Sequence, residues 1–341
     1  MKDRLRSFVS RSLVTSGLTR LGRRWRDHRG SLILYGHRVS DDNEGFLEGL
    51  PPHWFREQLA YLTRHYEVIP LSTLVACIEE GRPPPPRSVA LTFDDGFRDN
   101  VEAALPVLEA FNVTATVFLV TGSLSDGQLP WSQRLGFLFQ RTEVAEVQHD
   151  LLGPLPIPLA DEAQRRRAYQ HVKSALVPLP YGPRDAVIEQ FGHRLGVEAP
   201  LNRMMTWQHA REALAAGHEM GAHTYSHALL ARVPPSEARW EMERSRLDLQ
   251  EHLGLRHPSF CFPAGSNTPE LRKLAYELGF RSAFAPSRGR RLNRPGDVNA
   301  FSLVRVGMPN APASHLEAEL DGPLPALRRV AMRLRLAAGE R

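Results

Sequence analysis

Two short segments of the chain carry residue types whose spacing suits metal chemistry. Asp94 and Asp95 are adjacent and end an apolar run, while His223 and His227 lie four positions apart after another apolar run. Two imidazoles and one carboxylate that leave a coordination position open are typical ligands of catalytic Zn²⁺ or a similar first-row divalent ion. Adjacent carboxylates repel each other, and a cation that neutralises one leaves the other able to accept a proton. The alternatives are ordinary: adjacent aspartates are common in surface turns, and the two histidines could be solvated loop residues.

Candidate groups also follow two other apolar runs. His37 comes directly after Leu32–Gly36, and the turn Pro263–Gly265 comes directly after Phe260–Phe262. In α/β barrels the catalytic groups gather at the carboxyl ends of the strands, because the loops there converge on one mouth. Four separate segments that place such groups directly after a predicted strand therefore indicate one shared site.

The elements that must position these groups alternate, from residue 31 onwards, between short apolar runs and amphipathic helical patterns. This alternation predicts a parallel sheet or barrel, so the expected fold class is α/β. The helical patterns lie near 53–65, 99–111, 206–216, 236–253 and 269–278. The last of them has Thr268 as a predicted N-cap and Gly279 after its end. The strand candidates are Leu32–Tyr35, Val89–Phe93, Thr114–Val120, His218–Ala222, Ser259–Phe262, Ser282–Ala285 and Ser302–Val306.

Residues 125–200 do not fit this alternation. They hold Pro-rich pieces around a helical pattern at 161–176, which favours an insertion over one face of the barrel, with a separate small domain as the alternative. The predicted organisation is a basic amphipathic arm over 1–30, a barrel over 31–315 that carries the insertion, and a basic helical tail over 316–341.

The net charge of +5 is unevenly distributed. Residues 1–30 carry nine Lys or Arg against two acids, and residues 327–341 carry five Arg against one Glu, so the stretch between them is mildly acidic. A nucleic-acid-binding domain should carry its basic surface on the folded face, so this distribution disfavours that class. The first arm could associate peripherally with an anionic membrane surface, or pack as an ordinary helix across the barrel bottom or against a partner.

The sequence shows neither a membrane-spanning run nor a convincing signal peptide. No run of eighteen apolar residues occurs, and Arg11 interrupts the apolar stretch near the N-terminus. A cytoplasmic or membrane-peripheral location is therefore expected in preference to export. The two cysteines exclude a disulfide framework.

Two segments resemble the motifs of a known family. Thr92–Gly96 (TFDDG) and His223–His227 (HTYSH) are similar to the first two motifs of the polysaccharide deacetylases, carbohydrate esterase family 4, which share the NodB-homology domain. The resemblance covers residues 31–310 approximately and implies a distorted (β/α) barrel with about seven parallel strands. It implies that Asp94 is the catalytic base, and that Asp95 and both histidines bind a divalent metal, with Zn²⁺ as the first choice and Co, Ni or Mn as alternatives.

Two further family motifs are altered. The third, usually Arg-x-Pro-Tyr-Gly, stands here as CFPAG, so Cys261 replaces the Arg that orients the base. The resemblance implies that the backbone N–H of Ala264, after Pro263, helps to hold the oxyanion, because a backbone donor survives a change of side chain. The Leu-x-His motif that supplies the general acid is missing near the C-terminus. Members that resemble the poly-N-acetylglucosamine deacetylases carry this histidine on the first strand, and His37 fits that permuted arrangement.

The implied activity is metal-dependent hydrolysis of the N-acetyl group of an amino sugar in a polysaccharide or glycoconjugate, with release of acetate. The expected setting is exopolysaccharide or cell-envelope glycan biosynthesis, and the expected partner is an N-acetylated glycan. Trp131 and the basic loop Ser287–Arg294 are expected to line the substrate mouth; the plainer interpretations are a core aromatic and a solvated loop. Two alternatives stay open: deacetylation of a small or lipid-linked sugar, and an inactive barrel that only binds carbohydrate.

Overall fold

Seven parallel strands close into a barrel in the computed structural model of the chain, which describes residues 10–25, 30–286 and 292–322. Around the barrel the strand order is β1-β7-β6-β5-β4-β3-β2, and β2 pairs with β1 to complete the circle. The strands are β1 (Leu32–Gly36), β2 (Ser88–Phe93), β3 (Thr116–Leu119), β4 (Glu219–Ala222), β5 (Ser259–Cys261), β6 (Ser282–Pro286) and β7 (Leu303–Gly307).

The first strand closes the barrel because it pairs on both sides. Leu34 lies opposite Val306 of β7 on one side and opposite Leu91 of β2 on the other. All six residues of β2 are buried, as expected for a parallel strand that is covered on both faces. An additional short strand, Glu67–Val68, pairs with the start of β2. The α/β barrel expected from the alternating pattern is confirmed, and each of its strands lies within a residue or two of its predicted bounds.

Helices connect the strands and cover the barrel, and six of the twelve named below lie in the predicted helical patterns. The N-cap predicted at Thr268 is confirmed, since its hydroxyl accepts a hydrogen bond from the backbone N–H of Leu271 at 3.3 Å. A single π-helical turn, Asn100–Ala104, precedes α4. The helices are α1 (Leu18–Trp25), α2 (Pro52–His65), α3 (Leu71–Glu79), α4 (Leu105–Ala110), α5 (Thr121–Asp126), α6 (Trp131–Arg141), α7 (Glu162–Leu176), α8 (Tyr181–Leu195), α9 (Trp207–Ala215), α10 (Pro235–Leu253), α11 (Pro269–Glu277) and α12 (Ala313–Leu320).

The segment that interrupts the alternation is helical and has a core of its own. Helices α6, α7 and α8 pack together around a cluster that includes Leu135, Phe139, Val172 and Phe191. The hydrophobic cluster of the barrel and its helices contains none of these side chains. The bounds 125–200 stay a prediction, but the three helices within them form one packed layer.

The described part of the basic N-terminal arm lies against α12, at the start of the predicted tail, and against α2, where Arg23 donates to the hydroxyl of Tyr61 at 3.4 Å. Arg23 of α1 forms ion pairs with Asp321 and Glu317, both at 2.9 Å, and the hydroxyl of Thr19 donates to Glu317 at 2.7 Å. Residues 1–9 and 26–29 of the arm, residues 287–291 of the predicted basic loop, and the tail over 323–341 lie outside the described residues. Within the ranges that the structure covers, no helix is long and apolar enough to cross a membrane.

Candidate active site

The structure brings Asp95, His223 and His227 together at the carboxyl ends of β2 and β4. Their candidate ligand atoms all lie within 4.8 Å of one another. Nε2 of His223 is 3.5 Å and Nε2 of His227 is 3.2 Å from the same carboxylate oxygen of Asp95. This convergence matches the two-histidine, one-carboxylate set expected for a catalytic divalent ion.

The surroundings of the three residues also fit a metal ion, whose charge would offset the burial that raises the pKa of Asp95. Among the described residues, neither buried carboxylate oxygen of Asp95 has a hydrogen-bond partner, which is unusual for a buried polar group. Burial lowers the pKa of both imidazoles below their ordinary value, so the neutral forms predominate. The Nδ1 atom of His223 lies 2.8 Å from the carbonyl oxygen of Cys261, and donation from Nδ1–H would leave the lone pair of Nε2 for a metal.

The backbone of the site is strained. Of the eight non-glycine residues with positive φ in the described ranges, four lie in the candidate motifs: Asp95 (75°), Thr224 (66°), His227 (61°) and Ala264 (49°). Each left-handed non-glycine residue costs on the order of 1–3 kcal/mol and persists only where the surroundings hold it. Such residues cluster at active sites, so their positions agree with the sequence motifs as to where the chemistry is.

Asp94, which is adjacent to Asp95, has a different environment. Its two carboxylate oxygens accept hydrogen bonds from Nη1 and Nη2 of Arg305, both at 2.7 Å, in a two-pronged ion pair. Burial alone would raise the pKa of Asp94, but the Arg305 guanidinium and, to a lesser extent, His223 hold it well below its ordinary value. Asp94 is therefore an ionised carboxylate, held in one orientation beside the candidate metal ligands.

Arg305 is the site residue that sequence reasoning missed. It lies on β7, far along the chain from Asp94, and reaches its partner through the barrel interior. Its Nη2 lies 2.8 Å from Sγ of Cys261, which occupies the position where the family has its own arginine. The Arg305 guanidinium therefore lies in direct contact with the side chain at position 261. The available signal was one arginine in the otherwise apolar run Leu303–Gly307, because a charge there must be buried and paired.

The structure places His37 at the end of β1, beside both aspartates. Its charge would lower the pKa of Asp94 and of Asp95. The carbonyl oxygen of His37 accepts a hydrogen bond from Asn100 at 2.8 Å. Asn100 begins the π-helical turn, and single π-helical turns next to α-helices are frequent at functional sites. The backbone that carries the half-buried His37 imidazole is thus fixed by this hydrogen bond.

The remaining predicted residues differ in their placement. Pro263 is buried, while Ala264 is exposed in the turn after β5. Trp131 is only 5% exposed, and its indole N–H donates to the carbonyl oxygen of His227 at 3.0 Å. The tryptophan thus lies behind the histidine loop as a core aromatic, and this placement gives no support to the expectation that it lines the substrate mouth. Residues 287–291 of the predicted basic loop fall outside the described ranges.

Comparisons with known proteins agree with the fold and motifs. The chain is 30% identical over 102 residues to poly-beta-1,6-N-acetyl-D-glucosamine N-deacetylase of Escherichia coli, a match that covers 29% of this chain and 15% of that protein. It is 22% identical over 178 residues to the putative polysaccharide deacetylase YxkH of Bacillus subtilis, which covers 48% of this chain and 63% of YxkH. The chain therefore spans less than two thirds of either relative.

A solved structure shares the fold. The Streptococcus pyogenes deacetylase PplD, determined in complex with acetate, superimposes with a TM-score of 0.55 at 16% identity, over 84% of this chain and 96% of that chain. The family model for polysaccharide deacetylase matches residues 81–154 and 186–283, about half of the chain, including Asp94, Asp95 and both histidines. The unmatched residues between those ranges fall within the helical insertion. The chain belongs to the polysaccharide deacetylase family.

Proposed function

We propose that this protein hydrolyses the N-acetyl group of an amino sugar within a polysaccharide and releases acetate. The observation that carries the proposal is the division between two adjacent aspartates. Asp94 is held as a carboxylate by Arg305, whereas Asp95 faces the Nε2 atoms of two neutral imidazoles. One environment suits a proton acceptor and the other suits a metal ligand. An inactive binding barrel would not need this division.

The residues present fit a divalent metal, with Zn²⁺ as the proposed ion and Co, Ni or Mn as alternatives. Asp95, His223 and His227 would hold the ion, because their donor atoms converge and the carboxylate otherwise lacks a hydrogen-bond partner. Such an ion supplies Lewis acidity: it lowers the pKa of water and polarises a carbonyl group.

The protein groups around that centre can divide the proton transfers. In this proposal Asp94 accepts a proton from the water that attacks the acetyl carbon. The backbone N–H of Ala264 helps to hold the negative charge that develops on the acetyl oxygen. His37 donates a proton to the sugar nitrogen as the carbon–nitrogen bond breaks. The products are acetate and a free amino group on the sugar.

The proposed substrate is a polymer of N-acetylglucosamine, and the proposed setting is the biosynthesis of exopolysaccharide or cell-envelope glycan. The Escherichia coli relative is named for this polymer, and His37 directly follows the first strand, which fits the permuted arrangement of the members that resemble the poly-N-acetylglucosamine deacetylases. A small or lipid-linked amino sugar is the second candidate, because the described barrel residues hold the same acetyl-directed groups for either substrate.

Release of acetate from a substrate panel tests this proposal. Zn²⁺-loaded protein is incubated with poly-β-1,6-N-acetylglucosamine, with chitin oligomers and with monomeric N-acetylglucosamine, and acetate and free amine are quantified. Release that is greatest on the polymer supports the proposal. Release from the monomer alone would favour the small-sugar alternative, and metal binding without release from any substrate would favour the binding barrel.

A further inference from the structure

The loop that carries both histidines is held from several directions. Between β4 and α10 the chain runs through His223–His227, and the backbone N–H groups of Thr121 and Gly122 donate to the carbonyl oxygens of Thr224 and Tyr225 at 3.2 and 2.9 Å. These bonds come from the segment after β3, which belongs to the barrel. They hold the first part of the loop and leave Ser226 and His227 to other partners.

Ser226 is held by a buried charged pair. Its backbone N–H donates to Glu241 of α10 at 2.8 Å, and its hydroxyl donates to the other carboxylate oxygen of Glu241. The same hydroxyl accepts a hydrogen bond from Arg184 of α8, one of the helices of the insertion. Arg184 and Glu241 are 1% and 0% exposed and lie 3.9 Å apart, so a charge from the insertion is balanced by one from the barrel.

His227 is held by the insertion directly. Trp131, the first residue of α6, donates its indole N–H to the carbonyl oxygen of His227 at 3.0 Å. The guanidinium of Arg184 lies over the Trp131 ring, 5.0 Å from its centroid. Arg184 thus touches both Ser226 and the residue that holds His227, and it joins the two attachments into one support.

The loop needs such support because its conformation is unfavourable by itself. Thr224 and His227 are both left-handed non-glycine residues, with φ of 66° and 61°. Strained residues persist only where the surrounding structure over-determines them. If the contacts to the insertion were lost, His227 could relax toward an ordinary backbone conformation, and its Nε2 would move away from Asp95.

We infer that Trp131 and Arg184 are positioning residues for the metal site, and that the helical insertion serves to fix His227 for metal binding. This inference rests on the proposed function only in that it requires Asp95, His223 and His227 to bind a metal ion. It assigns the insertion a role inside the site, in addition to any role as a cover over the barrel.

The affinity for Zn²⁺ tests this role without depending on turnover. Trp131→Phe keeps an aromatic ring and removes the indole N–H that donates to the carbonyl oxygen of His227. Arg184→Lys keeps the positive charge opposite Glu241 and removes the planar guanidinium that contacts both Ser226 and Trp131. Outer partners of metal ligands typically contribute about 10- to 100-fold in affinity. We expect Trp131→Phe to weaken Zn²⁺ binding by about ten-fold in competition with a chromophoric chelator, with a smaller loss for Arg184→Lys. The visible spectrum of the Co²⁺-loaded variants should shift as the ligand geometry loosens.

Phe139→Leu is the matched control. Phe139 is fully buried in the same helix and the same insertion core but has no part in the contacts to the histidine loop. We expect this variant to lower the melting temperature and to leave the Zn²⁺ affinity unchanged. Wild-type affinity in Trp131→Phe, or an equal loss in Phe139→Leu, would overturn the positioning role while leaving the proposed function intact. A wild-type protein that binds no Zn²⁺ would overturn both.

Discussion

At the scale of single residues, the site separates two carboxylates that are neighbours in sequence. Asp94 forms a two-pronged ion pair with the guanidinium of Arg305, and Asp95 lies close to the two histidines. Like charges at such short distance repel strongly unless each is compensated. The arginine compensates one carboxylate, and a bound cation would compensate the other.

Removal of Arg305 should therefore affect both stability and catalysis. Arg305→Met leaves the buried carboxylate of Asp94 without its partner, and breaking a buried pair in this way costs about 3–5 kcal/mol. We expect a large fall in the free energy of unfolding in urea and a fall in kcat that is greater than any change in KM. The double variant Arg305→Met/Asp94→Asn should recover much of the stability and none of the activity. Arg82→Met, which breaks an exposed pair with Glu80, is the control and should leave both properties near wild type.

Recovery of activity in that double variant would contradict the role given to Asp94. An unchanged free energy of unfolding in Arg305→Met would show that the pair with Asp94 contributes little to the fold.

The convergence of Asp95, His223 and His227, the proposed metal ligands, could be predicted from the sequence because each follows a recognisable strand and keeps its family spacing. Arg305 could not be assigned in this way. It is a single residue whose role depends on β7 and β2 lying on either side of β1, and that arrangement becomes visible only when the barrel closes. The small side chain at Cys261 indicated that the usual arginine was missing, but it did not show which residue replaces it.

At the scale of elements, the barrel strands were predictable because parallel strands that are buried on both faces read as apolar runs. Helices α6 and α8 were harder to identify. Each begins directly after a proline, Pro130 and Pro180, and α8 carries Gly182 and Pro183 in its first turn. Proline is tolerated in the first turn of a helix, so a segment that resembles a Pro-rich loop can still be helical.

Substitution to alanine should affect stability very differently at a glycine of the barrel and at a glycine of the insertion. Gly221 of β4 is so close to Phe118 of β3 that an added Cβ would lie 2.5 Å from ring atoms. We expect Gly221→Ala to destabilise the protein by about 1–3 kcal/mol, as overpacking of a core does. Gly182 of α8 has open space around the same position. Gly182→Ala should therefore change the free energy of unfolding much less than Gly221→Ala does, and its remaining cost is the restriction that Pro183 places on a helical residue before it.

Thermal unfolding of the two variants against the wild type measures this difference. A melting temperature for Gly221→Ala at or above that of the wild type would contradict the close contact between β3 and β4.

At the scale of the whole molecule, the proposed metal site joins parts of the fold that are far apart in sequence. Its residues come from the ends of β2 and β4, its supports come from the insertion and α10, and Arg305 comes from β7. An ion bound at this point would tie these parts together, so stability and metal occupancy should be linked.

Removal of the metal should therefore lower the melting temperature. A ligand that binds only the native state contributes about 2.7 kcal/mol when its free concentration is a hundred times its Kd. We expect chelator-treated protein to melt at a lower temperature and to recover when Zn²⁺ is added. Asp95→Asn, which removes a ligand charge, is the control, and its melting temperature should respond little to Zn²⁺. A wild-type melting temperature that does not depend on Zn²⁺ would argue against the site.

The most direct test of the central claim compares acetate release by the wild type and by Asp94→Asn, both loaded with Zn²⁺, on poly-β-1,6-N-acetylglucosamine. The substitution keeps the size of the side chain and removes its ability to accept a proton, while Asp95 and both histidines are untouched. The proposed mechanism predicts that the variant still binds Zn²⁺ and that its acetate release falls by at least about 100-fold, the smallest usual contribution of a general base. Acetate release at the wild-type rate from the Zn²⁺-loaded variant would contradict the claim that Asp94 is the base of a deacetylase.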